Sequence, residues 1–284
     1  MSSKKELVVI GDSFCIDYIN MRNLKGKEYD GGKYLLYDPD QNKIKEFKWT
    51  KQKSFPIWTE IVAKELNLKL VSLGQSGTGT DFHFASVLDY IINNEKKIGK
   101  VIISWSSFGR FDFEFPSEFT KHLPPSHPWP WISVNGALLK YNKLMNGNSA
   151  DTLLNAAREV NALTFEVGIN NFFRHSYVLQ NLLESYGIEY RMIQSLSDGH
   201  AFPNKYHTHE GALTEYAKYI LKSPYFDLIN DEKFIGWPGM PLLGGFTMVD
   251  LIFTEDNKNF ISSMDHHPNE NGMKIIAKAI LDDL

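Results

Sequence analysis

Four short apolar runs, separated by amphipathic stretches, constrain the fold of this sequence most strongly. The runs predicted to be strands are Leu7–Ile10, Leu68–Leu73, Lys100–Ser104 and Tyr190–Ile193. The stretches predicted to be helices are Ile57–Leu68, Asp81–Asn94 with Asp81 as its N-cap, Ser149–Gly187 with a break near Gly168, and Asn271–Leu284. Buried strands that alternate with helices predict an α/β fold, with a parallel sheet and helices on both of its faces.

Two segments, at about 108–148 and 195–254, do not follow this alternation. Both are rich in proline and aromatic residues. Long irregular stretches in a compact domain usually form lids or binding surfaces. Because neither a hydrophilic linker nor an internal repeat separates them from the rest, we interpret residues 1–284 as one domain with two irregular insertions.

Charge and cysteine content exclude several classes of protein. The formal net charge is -4 and the basic residues form no stripe, which argues against nucleic-acid binding. The single cysteine, Cys15, cannot form an internal disulfide and suits a reducing compartment. The run Leu7–Ile10 is too short for the core of a signal peptide or for a membrane span. We therefore expect a cytoplasmic protein without a membrane span.

The residues that follow three of the predicted strands give the first indication of function. Ser13, Gly74–Gly79 and Ser104–Arg110 each come directly after a strand, and the carboxyl ends of parallel strands meet at one edge of a sheet. Ser13 ends the triplet Gly-Asp-Ser at a sharp turn, which exposes the serine hydroxyl and aims its backbone N–H at a developing oxyanion. The alternative is a serine that only caps the following helix.

A candidate base for this serine lies near the other end of the chain. A serine hydroxyl is a poor nucleophile near neutral pH unless an imidazole takes its proton and a carboxylate orients that ring. Asp265 and His267 are two residues apart in one loop, and Pro268 fixes the backbone directly after the imidazole. His266 is the competing base. The non-catalytic alternative is a surface loop in which Asp265 and His267 only cap the last helix.

These residues resemble the SGNH (GDSL-type) hydrolase family. Gly11-Asp12-Ser13-Phe14, Ser76-Gly77 and Asp265-x-His267-Pro268-Asn269-x-x-Gly272 are similar to its blocks one, two and five, and they occur in the family's order. The resemblance implies a flavodoxin-like three-layer α/β/α domain with a five-stranded parallel sheet, and it implies no metal or organic cofactor. It also implies that Ser13 is the nucleophile, His267 the general base and Asp265 the orienting carboxylate. Gly77 would then be an oxyanion-hole donor beside the N–H of Ser13.

The sequence departs from the family pattern in two places. Family members carry Gly-x-Asn-Asp after the third strand, where the Asn amide is a further oxyanion donor. Here the segment has no Asn, and Ser106, Ser107 and Arg110 are the candidates to replace it. Loss of one such donor typically costs about a hundred- to a thousandfold in rate. The family also has two residues between Asp and His, where this chain has only His266; the Pro-Asn-x-x-Gly pattern that follows favours His267.

Some other residues are weaker candidates for function. Cys15 lies two residues after the serine and is interpreted as a core residue. Trp129, Trp131 and Trp237 are candidates for a sugar-stacking platform or an acyl pocket, although a structural role is favoured for each. His207, His209 and the adjoining Glu210 form a weak metal-binding pattern.

The leading hypothesis is a serine hydrolase that cleaves an ester or O-acyl bond, such as a carbohydrate O-acetyl group, through an acyl-enzyme. Its substrate would be a small-molecule or glycan ester. The alternative is a binding or structural protein of the same fold with weak or no catalysis, suggested by the missing Asn and the aromatic insertions. A metal hydrolase built on His207 and His209 is a third and more distant hypothesis. Nothing in the sequence indicates the oligomeric state.

Overall fold

The computed structural model of the chain describes residues 4–21, 23, 33–38, 43–48, 52–114, 131–135, 155–157, 159–196, 210–254, 256–262 and 265–284. The strands are β1 (Glu6–Ile10), β2 (Lys33–Asp38), β3 (Lys43–Lys48), β4 (Lys69–Ser72), β5 (Ile98–Trp105), β6 (Arg110–Glu114), β7 (Trp131–Asn135), β8 (Glu189–Gln194) and β9 (Phe234–Ile235). The helices are α1 (Trp58–Glu65), α2 (Thr80–Asn94), α3 (Phe165–Ser185), α4 (Glu210–Lys222), α5 (Met248–Ile252) and α6 (Glu270–Asp283). None of these helices combines the length and apolar character that crossing a membrane requires.

Five of the strands form one sheet in the order β4-β1-β5-β8-β9, and every neighbouring pair is parallel. In order of appearance along the chain this is 2-1-3-4-5, the flavodoxin-like order. Val8 on β1, an interior strand of the sheet, pairs with Val71 on one side and Val101 on the other. The predicted fold class is therefore confirmed.

The alternation of side chains along β1 explains the three layers. Leu7 and Val9 point to one face, where α1, α5 and α6 cover the sheet, and Trp58 and Ile276 belong to the same buried cluster. The next residue on the strand, Val8, points to the opposite face and packs in a second cluster with residues of α2 and α3. Because both faces are covered, every residue of β1 is buried.

The segment predicted as an irregular insertion at 195–254 contains regular structure. It holds α4, α5 and β9, and β9 is the fifth strand of the main sheet. With only Phe234 and Ile235, β9 is too short to produce a recognisable pattern. In the insertion at 108–148, β6 pairs antiparallel with β7. Outside both insertions, β2 and β3 form another antiparallel pair, which the sequence did not predict.

Two local predictions need correction. The predicted helix at 149–187 is interrupted, but at 160–164 and not at Gly168, which lies inside α3. A Cβ there would lie 1.9 Å from the carbonyl oxygen of Phe108, so the glycine lets the helix approach the chain that follows β5. The N-cap of α2 is Gly79 and not Asp81, which lies in the first turn. Residues 149–154, part of the predicted helix, lie outside the described residues.

Candidate active site

Ser13 lies at the sharp turn that follows β1. A short 3-10 helix begins at Ser13, and the Asp12 carboxylate caps it by accepting the N–H of Phe14 at 3.0 Å. At Gly11 a Cβ would lie 2.3 Å from the Cys15 sulfur, so only glycine permits this tight reversal. The serine is 4% exposed. The turn thus holds its hydroxyl at the carboxyl edge of the sheet, where binding and catalytic sites form in open α/β folds.

The structure brings Ser13 together with two residues from the end of the chain. The Nε2 atom of His267 lies 2.8 Å from the Ser13 Oγ, although 254 positions separate the two residues. On the other side of the ring, Nδ1 lies 2.6 Å from Oδ1 of Asp265. Because Asp265 is 2% exposed and acts as an acceptor, this geometry favours the tautomer with the proton on Nδ1. The Nε2 lone pair is then free to accept the serine proton.

The residues after His267 fix the loop that carries it. The carbonyl oxygen of His267 accepts the N–H of Ile261 at 2.9 Å. The Asn269 carboxamide oxygen caps α6 by accepting the N–H of Gly272 at 3.1 Å. At Gly272 a Cβ would lie 2.5 Å from the carbonyl oxygen of Asn259, so the helix start packs directly on the preceding backbone. The Pro-Asn-x-x-Gly pattern therefore has a structural cause.

His266, the competing base in the sequence, occupies a different environment. Its ring packs edge-on against Phe260, with ring centroids 5.5 Å apart. His267, in contrast, is the histidine whose ring nitrogens contact Ser13 and Asp265.

Tyr18 is a site residue that the sequence did not indicate. Its ring stacks on that of His267, with centroids 3.6 Å apart and an angle of 13° between the planes. Its hydroxyl donates to Oδ2 of Asp265 at 3.1 Å. The tyrosine thus holds both the imidazole and the carboxylate. No sequence signal points to it, since it belongs to no motif and acts only through the folded arrangement.

Gly77 lies in the loop between β4 and α2, on the other side of Ser13. The loop is fixed to the serine turn by Gln75, whose N–H donates to the Gly11 carbonyl at 3.0 Å. The Thr78 hydroxyl donates to the Gln75 carbonyl at 2.7 Å and closes the loop. Gly77 itself has a φ of +85°, the left-handed region in which a side chain is strained. These contacts explain why a glycine is present here.

Asp112 on β6 holds the end of this loop. Both of its carboxylate oxygens accept the N–H of Gly79, at 2.9 and 3.0 Å, and Oδ2 accepts that of Phe82 at 2.9 Å. The Ser133 hydroxyl, on β7, also donates to it. Burial raises the pKa of Asp112, and these hydrogen bonds oppose the rise. A residue 33 positions from Gly79 therefore caps α2, which local sequence does not reveal.

The three candidates after β5 for the missing Asn have other partners. The Ser106 hydroxyl donates to Oδ2 of Asp12 at 2.8 Å, so its only proton is directed at that carboxylate. Arg110 Nη1 donates to the Ser106 Oγ at 2.8 Å and to Asp12 Oδ2 at 3.1 Å. The Ser107 Oγ accepts the N–H of Gly109 at 3.2 Å.

The two candidate tryptophans that the structure describes, Trp131 and Trp237, pack against other aromatic rings. Trp237 packs in a cluster with Phe173, Phe226 and Phe234, at centroid distances of 5.1 to 5.6 Å. Trp131 packs edge-on against Phe82 and lines a surface cavity of about 260 Å³ that none of the triad candidates lines. Trp129 lies outside the described residues.

Cys15 and the candidate metal residues complete the sequence-based list. Cys15 is buried in the core, and burial raises the pKa of its thiol well above the ordinary value. His207 and His209 lie outside the described residues, and only the backbone of Glu210, at the start of α4, is described. Within the described ranges, His, Cys, Asp and Glu side chains form no group of three that would hold a metal ion.

No protein-family model matches the chain, and a search of curated proteins finds no relative. The solved structures to which it is similar include a GDSL-family lipolytic protein from Desulfitobacterium hafniense, with 12% identity, a TM-score of 0.44 and coverage of 99% of both chains. Another is a psychrotrophic esterase from Pseudoalteromonas sp., with 9% identity, a TM-score of 0.40 and coverage of 99% of this chain and 96% of that one. A third is an acetyl xylan esterase from Geobacillus stearothermophilus, with 12% identity, a TM-score of 0.38 and coverage of 100% and 95%. These are distant likenesses, and the flavodoxin-like α/β fold of the chain is shown by its own sheet order.

Proposed function

We propose that the protein is a serine ester hydrolase of the SGNH type, with Ser13 as nucleophile, His267 as general base and Asp265 as the carboxylate that orients it. The observation that carries this proposal is the continuous series of two contacts, 2.8 Å from Ser13 Oγ to His267 Nε2 and 2.6 Å from His267 Nδ1 to Asp265 Oδ1. Both distances are within hydrogen-bond range, which is what proton transfer from the serine requires.

In the first half of the reaction, the Ser13 oxygen attacks the carbonyl carbon of the ester while its proton passes to His267 Nε2. The buried carboxylate of Asp265 stabilises the imidazolium that forms. The C–O bond to the alcohol then breaks as His267 gives its proton to the leaving oxygen. An ester suits this arrangement because an alcohol is a better leaving group than an amine. The product is an acyl-enzyme on Ser13.

In the second half, water replaces the alcohol. His267 takes a proton from the water, the resulting hydroxide attacks the acyl carbon, and the proton returns to the Ser13 oxygen as the acid leaves. In both halves the carbonyl oxygen becomes negatively charged. We propose that the backbone N–H groups of Ser13 and Gly77 stabilise it, since the Gln75–Gly11 hydrogen bond holds the Gly77 loop against the serine turn.

The substrate that we propose is a carboxylic ester of a small molecule or an O-acetyl group of a carbohydrate. Short p-nitrophenyl esters and acetylated oligosaccharides are the corresponding assay substrates. Release of p-nitrophenol measures hydrolysis of the small-molecule ester, and release of acetate from the oligosaccharide measures deacetylation of the carbohydrate.

A fluorophosphonate probe tests the nucleophile directly. We expect covalent labelling at Ser13, found by peptide mass spectrometry, and loss of both labelling and ester hydrolysis in Ser13→Ala. Ser185→Ala, which changes an exposed serine at the end of α3, is the matched control and should be labelled like the wild type. Labelling that persists in Ser13→Ala contradicts the assignment.

A binding protein of the same fold, with weak or no catalysis, is the second candidate. It is favoured by the engagement of Ser106 and Arg110 with Asp12, which directs the Ser106 proton away from an oxyanion donor role. A wild-type protein that resists the fluorophosphonate but binds oligosaccharides in calorimetry would support this candidate over the hydrolase.

A further inference from the structure

Asp12 is a carboxylate in an unfavourable place for an ester hydrolase. It is fully buried and directly precedes Ser13, beside the position where negative charge develops in the proposed reaction. A buried carboxylate requires hydrogen bonds and a counter-charge. The Ser106 hydroxyl donates to its Oδ2 at 2.8 Å, and the Ser195 hydroxyl, 3.0 Å from the same oxygen, shares its one proton between Asp12 and the Trp105 carbonyl oxygen. The counter-charge comes from Arg110, whose Nη1 lies 3.1 Å from the same oxygen.

Arg110 also connects the three loops that surround the serine. Besides Asp12, in the turn after β1, its Nη1 donates to the Ser106 Oγ at 2.8 Å, in the chain after β5. The same nitrogen makes a longer contact of 3.4 Å with the Thr78 carbonyl oxygen, in the loop after β4, so its two protons are shared among three acceptors. Thr78 adjoins Gly77, and Asp12 adjoins Ser13. One guanidinium nitrogen therefore contacts the neighbours of both proposed oxyanion donors.

We propose that Arg110 is a positioning residue for the oxyanion side of the site. It neutralises Asp12 and holds the two loops so that the N–H groups of Ser13 and Gly77 converge on the carbonyl oxygen. This inference rests on the proposed function and deepens it. Arg110 acts here through the two remaining donors and compensates for the family's missing Asn without contacting the substrate.

The first test compares Arg110→Met with wild type on a p-nitrophenyl ester. We expect kcat to fall about a hundredfold, because the uncompensated charge of Asp12, the residue before Ser13, opposes the negative charge that develops on the carbonyl oxygen. KM should change less than about threefold, since the ground-state ester carries no charge. The rate of inactivation by the fluorophosphonate should fall in parallel with kcat. Arg110→Lys keeps the charge without the fork of donors and should recover part of the loss.

Arg191→Met is the matched control for a general loss of stability. Arg191 on β8 forms a similar ion pair, with its Nε 2.6 Å from Asp283 Oδ2 at the far end of α6. The control should lower the melting temperature and leave kcat within about twofold of wild type.

A double variant separates the electrostatic role from a purely structural one. Replacing Asp12 by Asn in the Arg110→Met background removes the uncompensated charge, and we expect at least a tenfold recovery of kcat over the single variant. The proposal is overturned if Arg110→Met keeps kcat within threefold of wild type, or if the double variant is no faster than Arg110→Met. A wild-type Ser13 that does not react with the probe removes the proposed function and this inference together. A reactive wild type with an equally reactive Arg110→Met removes the inference alone.

Discussion

On one side of Ser13, the imidazole of His267 is held mainly by residues close to it in sequence, whereas on the other side the loop of Gly77 is held by residues from distant strands. Asp265 and Asn269 lie within two residues of His267 and fix the ring and the start of α6. The Gly77 loop depends on the Gly11 carbonyl, on Arg110 and on Asp112. The base side therefore combines these local contacts with the long-range support of Tyr18, whereas the Gly77 loop is held mainly by tertiary contacts.

This difference predicts different responses to mutation. Replacing His267 or Asp265 removes a chemical group that the proposed reaction uses, so its effect should be large and confined to catalysis. A change in the Gly77 loop, or in Tyr18 that supports the base, alters the position of such a group, so its effect should be smaller and graded. The predictions below run from the largest expected effect to the smallest; the first three test this contrast, and the fourth tests the charge of Asp81 near Asp112.

His267→Ala should reduce kcat by about ten-thousandfold or more, because no other group takes the serine proton. Asp265→Asn should reduce kcat by nearly as much, because the His267 ring then loses the carboxylate that orients it. His266→Ala is the control, because its ring packs on Phe260, and it should stay within about threefold of wild type. Steady-state hydrolysis of a p-nitrophenyl ester measures all three. A larger loss in His266→Ala than in His267→Ala would reverse the assignment of the base.

Gly77→Ala should reduce kcat by about ten- to a hundredfold. There is open space for a Cβ, but φ of +85° strains an alanine, and relief of the strain rotates the backbone N–H. Gly187→Ala is a matched control, because Gly187 also has a positive φ of +63° and open space, at the end of α3. Both variants should lose similar stability in thermal unfolding. Equal values of kcat in the two variants would remove Gly77 from the oxyanion hole.

Tyr18→Phe should reduce kcat by about three- to tenfold with little change in KM. The variant keeps the stacked ring and removes the hydroxyl that donates to Asp265, a hydrogen bond to a charged group. Tyr18→Leu removes the stacked ring as well and should be slower than Tyr18→Phe. If Tyr18→Phe is as slow as Tyr18→Leu, the hydrogen bond matters and the stacking does not.

Asp81→Asn should stabilise the protein at neutral pH by a small amount. Burial, and then the nearby Asp112 carboxylate, raise the pKa of Asp81 from 3.8 to about 6. A raised pKa means that the folded state binds the proton more tightly, so this stabilisation is complete below about pH 4 and is lost as the pH rises through about 6. The melting-temperature gain of the variant should therefore grow from about zero at pH 4 to about 2–4 °C at pH 7.5. Asp89→Asn, at an exposed position on the same helix, is the control. An equal gain at both pH values would show that Asp81 does not titrate in this range.

The contrast between the two sides also explains what the sequence predicts. Gly11, Ser13 and His267 could be predicted because they lie in short motifs. The residues of a strand-to-helix turn and of a helix start are determined by their neighbours in sequence. The parallel sheet covered on both faces follows from strand–helix alternation, whereas its flavodoxin-like form was implied by the family resemblance. Tyr18 and Asp112 were missed because their roles depend on partners 247 and 33 positions away. Arg110 was identified as a candidate, but its partner Asp12 lies 98 positions away, so its contact required the fold.

Asp112 belongs to the β6–β7 hairpin, and this has a consequence for how the protein would respond to a bound molecule. The same carboxylate accepts hydrogen bonds from the Gly79 N–H and the Ser133 hydroxyl, so a movement of the hairpin would shift the Gly77 loop. Contacts made with the hairpin would be transmitted to the Gly77 loop, whose backbone N–H is the proposed donor to the carbonyl oxygen. Binding energy from a part of the substrate distant from the scissile bond would then raise kcat. Exchanging this hairpin between related chains would accordingly change the rate as well as the preference for substrate.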